Sequence, residues 1–400
     1  MEALEIKDRL AVHLKDAITQ RQYAKDAIRI AIRSYSSGTF DSVDEIYDAN
    51  RLVSNKEAWP DDFIYLCEDF AGNGAVPHFG AVQPNKEYYL SKIAVLTFIV
   101  YNPSISAFNL YCYDQRNASK DANSMCSLRF RHHLTCYLNN RLMNRTKDHQ
   151  ASPQSIVAGS ADKILFLVMD NCVGQNKSQC VFKFYVLLSL LFFERVCLHF
   201  LISGHSHMQC DTCWSWCKSS LRNRNLYDTS ELVEQYNTVK GVKAELVPQS
   251  AFSNEWEPFL DSMFPDIARV SGGYTQYSYF EISDGQMEMR LVNGGPVIGQ
   301  FQYFKPENKE KLKYDILSRI FGENVYSLDD ISSVKQIHLT VANKITIPKK
   351  TLESIALKKD FVPFKYWPFY GWERDSTAID DESAAIISAT PKKAVPPKKV

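Results

Sequence analysis

Residues 163–170, Lys-Ile-Leu-Phe-Leu-Val-Met-Asp, constrain this chain more than any other segment. A short run this apolar suits a central strand covered on both faces, and it closes on a carboxylate, Asp170. A polar, glycine-containing loop (Asn171 to Lys177) follows, then an apolar segment from Gln179 to Arg195 and a second apolar run from Cys197 to Ile202. That succession is a strand-helix-strand crossover of the length parallel pairing needs. The stretch Val181 to Phe193 contains Lys183 and falls short of the roughly 20 residues of a membrane span, so it predicts a buried helix and no membrane association.

The upstream chain repeats the theme. Asp62 to Asp69 (DFIYLCED) predicts another buried strand ending on an acid. Ile93 to Tyr101 and Ala107 to Tyr113, joined through Asn102-Pro103-Ser104, predict an antiparallel hairpin. Asp121 to Leu142 reads as a basic helix rich in Arg129, Arg131, His132, His133 and Arg141, and another helix can begin near Gln209. Helical spacing of Leu10, Leu14, Ala17, Ile18, Ala24, Ala27, Ile28, Ala31 and Ile32 gives one or two amphipathic helices from Glu5 to about Arg33. The expected class is α/β, a mixed sheet flanked by helices.

A boundary near residue 235 follows from the cysteines, because all ten lie between Cys67 and Cys217. The organisation expected is an N-terminal helical region (1–58), a catalytic-type domain (59–235), a C-terminal α+β region (236–375) and a disordered basic tail (376–400). In the third region Tyr274 to Ile282, Met287 to Val292 and Gln336 to Val341 read as strands and Lys309 to Phe321 as a helix. Lys and Arg balance Asp and Glu at 46 each, which argues against a dedicated nucleic-acid binder and leaves that role to local patches. Met1-Glu2-Ala3-Leu4-Glu5 opens no basic-then-apolar leader, so an intracellular protein with reduced thiols is expected.

Asp69 and Asp170 each close a strand, where ligand sites of open α/β sheets gather, and Asp211 stands at the start of the next helix. Three acids from distant parts of the chain can then meet. Oxygen donors of this kind suit Mg²⁺ or Mn²⁺, and two such ions can activate water and stabilise a leaving phosphodiester oxygen. Each Asp alone fits equally a turn or a helix cap. The loop after Asp170 supplies further candidates in Asn171, Gly174, Gln175 and Asn176, and His205 is a candidate proton carrier. Cys210, Cys213 and Cys217 share one helical face, which offers structural zinc or, more simply, buried thiols.

DNCVGQNKS (170–178) resembles the DNCxGQNKN-type motif of a transposon-derived family of unknown function with a ribonuclease-H-like core. Asp69 to Pro77 is similar to its DFAQNLxLP stretch, HFGAVQPNKEYY resembles the continuation, and Gly204-His205-Ser206-His207 with Asp211 and Trp214 is similar to GHTxxxxDxxF. The matches keep the family's order over roughly residues 10 to 340. The element order, three strands, helix, strand, helix, strand, helix, is also that of the ribonuclease-H-like fold. The resemblance implies a DDE-transposase-like core with Asp69, Asp170 and Asp211 as metal-binding acids, acting on DNA in the nucleus, with the cytoplasm as the alternative. Cleavage or strand transfer on DNA, from a domesticated or decayed element that forms a homo-oligomer, is one expectation. A catalytically inert nucleic-acid- or protein-binding domain is the other. Two departures stand out: Gly72 replaces a usual Gln, and Ala118 to Asn123 replaces a glycine-rich GKKGGN-like stretch. Asp114, where the family tends to show an acid, is a candidate fourth carboxylate.

Overall fold

The computed structural model describes residues 2–37, 63–80, 90–103, 106–147, 164–172, 176–202, 208–267 and 273–372. The chain opens with a single helix, α1 (Glu2–Ser37). Strand β1 (Phe63–Phe70) is followed by the short β2 (Gly74–Val76) and β3 (His78–Phe79), then by the hairpin β4 (Ile93–Asn102) and β5 (Ala107–Asp114). Helix α2 (Ala122–Lys147), β6 (Ile164–Met169), α3 (Gln179–Leu191), β7 (Arg195–Phe200) and α4 (Gln209–Ser220) come next. After β8 (Asn225–Leu226) and α5 (Thr229–Tyr236) come β9 (Val242–Leu246), α6 (Trp256–Met263), β10 (Tyr279–Ser283), β11 (Gln286–Arg290) and β12 (Gly299–Gln302). Helices α7 (Lys309–Phe321), α8 (Lys349–Ala356) and α9 (Trp367–Tyr370) complete the described chain.

Ten of these strands form one mixed sheet in the order β12-β11-β10-β7-β6-β1-β4-β5-β9, with β2 added on β4. Its centre runs parallel, β1 with β6 and β6 with β7, while the hairpin strand β4 is antiparallel to both β1 and β5. The class is α/β, as expected. All six residues of β6 are buried, because helices cover both faces. On one face Ile64, Leu66, Leu165 and Leu167 join α2, α3, α6 and α7 in a core; on the other Phe63, Tyr65, Cys67 and Phe166 join α1, α4 and α5.

The loop after Asp170 becomes α3 at Ser178, whose side chain accepts from the Val181 amide. This helix is apolar and buried, and no helix among the described residues is long and apolar enough to cross a membrane. Residues on both sides of position 235 share the sheet, since β9 pairs with β5 and β10 pairs with β7. Gln336 to Val341 is not a strand. Ser333 caps a 3₁₀ turn at Val334–Gln336, the Gln336 side chain takes the amides of Ser332 and Ser333, and only Val341 makes a lone bridge, to Ser253. Local side-chain bonds there outcompete a ladder. The expected basic tail, 376–400, lies outside the described residues.

Candidate active site

Register decides where the first two acids stand. In the parallel pair β1 and β6 the last level positions are Cys67 and Val168, and continuing that register by two residues brings Asp69, near the end of β1, opposite Asp170, the first residue after β6. Strands in a sheet lie roughly 4.8 Å apart, so these carboxylates are near neighbours. Alternation gives Asp69 the same face as Phe63, Tyr65 and Cys67, the face that α4 covers. That helix packs on β1 and β4 through Cys210, whose thiol donates to the Cys67 carbonyl at 3.4 Å, and its first turn carries Asp211.

The electrostatics register the convergence. Burial, then the charges of Asp170 and Asp211, raise the Asp69 carboxyl to about 7, against a lesser opposing pull from the Phe70 amide and Lys120. The Lys120 ammonium bonds the Ala71 carbonyl at 3.2 Å and lies 4.9 Å from the centre of the Phe70 ring. Burial lowers its own pKa.

Each remaining acid has a separate tie. The Asn176 amide donates to Asp170 Oδ1 at 2.6 Å, with the Cys172 amide at 3.4 Å. Asp211 is exposed and turned back on its own helix, accepting from the Met208 amide at 2.8 Å. Among the described residues no three or more His, Cys, Asp or Glu side chains stand close enough together to hold a metal ion. The three acids are therefore electrostatic neighbours without forming a closed coordination shell.

Behind Asp170 lies a buried polar chain that sequence reasoning missed. Arg129, on α2, is wholly buried and reaches Glu68 Oε2 at 2.7 Å and Asn176 Oδ1 at 3.0 Å. Asn176 thus accepts from Arg129 with its oxygen and donates to Asp170 with its nitrogen, which fixes the amide's orientation. On the expected basic helix, α2, the polar side chains are taken up by the protein itself: Arg129, His132 and His133 are buried, and Arg131 pairs with Glu245 at 2.7 Å. Between Ser124 and Leu134 the helix is covered nearly all round, so its polar residues there turn inward to partners such as Tyr111, which bonds His132 Nδ1 at 2.8 Å.

The other candidates separate. Asn171 is half-buried, and its Oδ1 has no hydrogen-bond partner among the described residues. Gly174, Gln175, His205 and His207 lie outside the described residues. Asp114 is no free fourth carboxylate, because Arg116 grips both its oxygens, at 3.0 and 2.8 Å. Cys210, Cys213 and Cys217 are buried free thiols. At Gly72 an added Cβ would lie 3.0 Å from Trp214 Nε1, so the missing side chain at 72 makes room for the indole at 214. Lys120, the cation beside Asp69, sits inside the altered 118–123 stretch; its position in that stretch was the only sequence signal for it.

No curated protein and no solved structure matches the chain. A domain of unknown function, DUF7869, covers residues 128–289, which contain Asp170, Asn176 and Asp211 but not Asp69.

Proposed function

We propose that this chain is a metal-dependent phosphodiester-cleaving or strand-transferring domain of the transposase and integrase type, with a ribonuclease-H-like core and DNA as substrate. One observation carries the reading: Asp69, near the end of β1, and Asp170, just past the end of the adjacent parallel β6, stand at the same end of the sheet, and the Asp69 carboxyl is raised to about 7 by burial and by the charges of Asp170 and Asp211. A cluster of like charges in a buried setting is relieved by a cation, and carboxylate oxygens are the donors Mg²⁺ and Mn²⁺ prefer. Asp69 and Asp170 would supply the first ligands. Asp211 would complete the set by giving up its bond to the Met208 amide.

The ions would supply an activated water and a stabilised leaving oxygen. The chain's own part is positional. Asn176 orders Asp170 by occupying Oδ1, and Lys120 offers a cation for a phosphate oxygen beside Asp69. His205, Asn171, Gly174 and Gln175 remain candidates for shaping the loop side of the site. A DNA substrate implies a nuclear protein, and homo-oligomerisation belongs to the same reading.

The second reading, an inert nucleic-acid- or protein-binding domain that keeps the fold, is favoured by the self-capped Asp211. Mn²⁺-dependent nicking of a labelled duplex separates the two. Cleavage that disappears in Asp170→Ala is the expected result. Absence of cleavage by the wild-type chain, with Mn²⁺ still bound through Asp170, would assign the inert reading.

A further inference from the structure

The face that bears Asp69 carries a second feature, with no part in the chemistry above. An open cleft of about 570 Å³ lies between α4, the β4–β5 hairpin and the turn before β9. Tyr101 stacks on Phe108 with ring centres 4.2 Å apart, and Trp216 meets Phe108 edge-on at 5.8 Å, so three rings form one aromatic wall. Trp216 leaves 47% of its surface exposed. Gln209, Thr212 and Trp216, at helical spacings of three and four, bring two hydrogen-bonding side chains to the same wall. Lys240 adds an ammonium, and among the described residues no carboxylate lines the cleft.

Its position ties it to the acids. Asp211 stands between Gln209 and Thr212 on α4, one helical step from the cleft. On β4, Ile99 is the cross-strand partner of Asp69, and Tyr101 lies two residues along the same face, about 7 Å away at the rise of a strand.

We infer that this cleft binds an unpaired nucleobase of the strand whose backbone reaches the carboxylate centre. The inference rests on the nucleic-acid reading above and deepens it. An aromatic wall binds the π-face of any base, Gln209 and Thr212 can meet its polar edge, and Lys240 matches the phosphate that every base carries with it. A purely aliphatic occupant would leave the cation and both polar groups without partners.

The test is anisotropy of fluorescein-labelled single strands in EDTA, which removes cleavage from the measurement. An oligothymidylate is compared with an abasic strand of the same length and with a duplex. The oligothymidylate is expected to bind tightest. Trp216→Ala should weaken it about five- to a hundredfold while leaving the abasic strand unchanged. Thr212→Glu, at the cleft rim, should weaken it independently, and Trp216→Phe should restore most of the affinity. Circular dichroism checks that each variant folds.

Equal affinity for the abasic strand, or full affinity in folded Trp216→Ala and Thr212→Glu, would overturn the inference. Preference for the duplex would overturn it too. Asp170→Ala should keep its binding of the oligothymidylate in EDTA, at least as tight as the wild type because it removes a negative charge from the path of the backbone, which keeps the two proposals apart. Mn²⁺-dependent nicking without single-strand binding removes the cleft and spares the active site, while Trp216-dependent binding without nicking does the reverse.

Discussion

Glu68 and Asp69 are consecutive acids on one strand, and they point to opposite faces of the sheet. Glu68 meets Arg129 at 2.7 Å in a site sealed from solvent, and Arg129 in turn holds Asn176. Burial raises the Glu68 carboxyl and its arginine partly offsets that. Asp69 has only the partial company of Lys120, with the charges of Asp170 and Asp211 against it. A buried carboxylate given its own cation belongs to the architecture. One left among like charges favours a proton or a metal ion, the property expected of a working site.

The largest effect that could break this contrast is loss of Glu68's partner. Arg129→Met should cost about 3–5 kcal/mol in urea unfolding by stranding a buried charge, and adding Glu68→Gln should recover much of it. A cost under about 1 kcal/mol would mean that the pair is not structural. Asp69 supplies the next test, with the opposite sign. Its carboxyl titrates at about 7 when folded against 3.8 when free, so the native chain holds the proton in between. In metal-free protein its contribution to stability is full below about pH 4 and is lost as pH rises through 7, a total on the order of 4 kcal/mol. Asp69→Asn should flatten that decline; an unchanged pH profile would refute the charge cluster.

Asn176→Ala sharpens the contrast from behind Asp170. It should lower Mn²⁺ affinity about ten- to a hundredfold by calorimetry, the usual effect of losing a group that orients a ligand. Retained affinity would make the Arg129 chain a feature of folding alone. The smallest effect belongs to Lys120, half-buried beside Asp69. Lys120→Ala should move the Asp69 midpoint upward by less than about one pH unit, read from the same stability curves. A downward movement would place the cation elsewhere.

Both strand-ending acids were legible because β1 and β6 are apolar runs that stop on a charge, a local signal. The hairpin, α3 and the helix Lys309–Phe321 were legible for the same reason. Arg129 was not. Between Ser124 and Leu134 nearly every residue is buried, so apolar periodicity carries no information, and its partners Glu68 and Asn176 lie 61 and 47 positions away. The destination of β9 and β10 was equally hidden, since a short strand does not specify which distant edge it will join. The turn at Val334–Gln336 shows the converse failure, where an apolar pattern that suited a strand yielded to serine and glutamine bonding close at hand.

The way the late strands close the sheet bears on which pieces of this protein can exist alone. A fragment stopping near residue 235 would lose β9 from β5 and β10 from β7, turning both of these strands into edges of the remaining sheet at once. Bare edges of that length pair readily with other chains, so such a fragment would aggregate. The unit that can be expressed, moved or inherited intact is therefore larger than the span that carries the three acids, and includes at least the chain through Gln302.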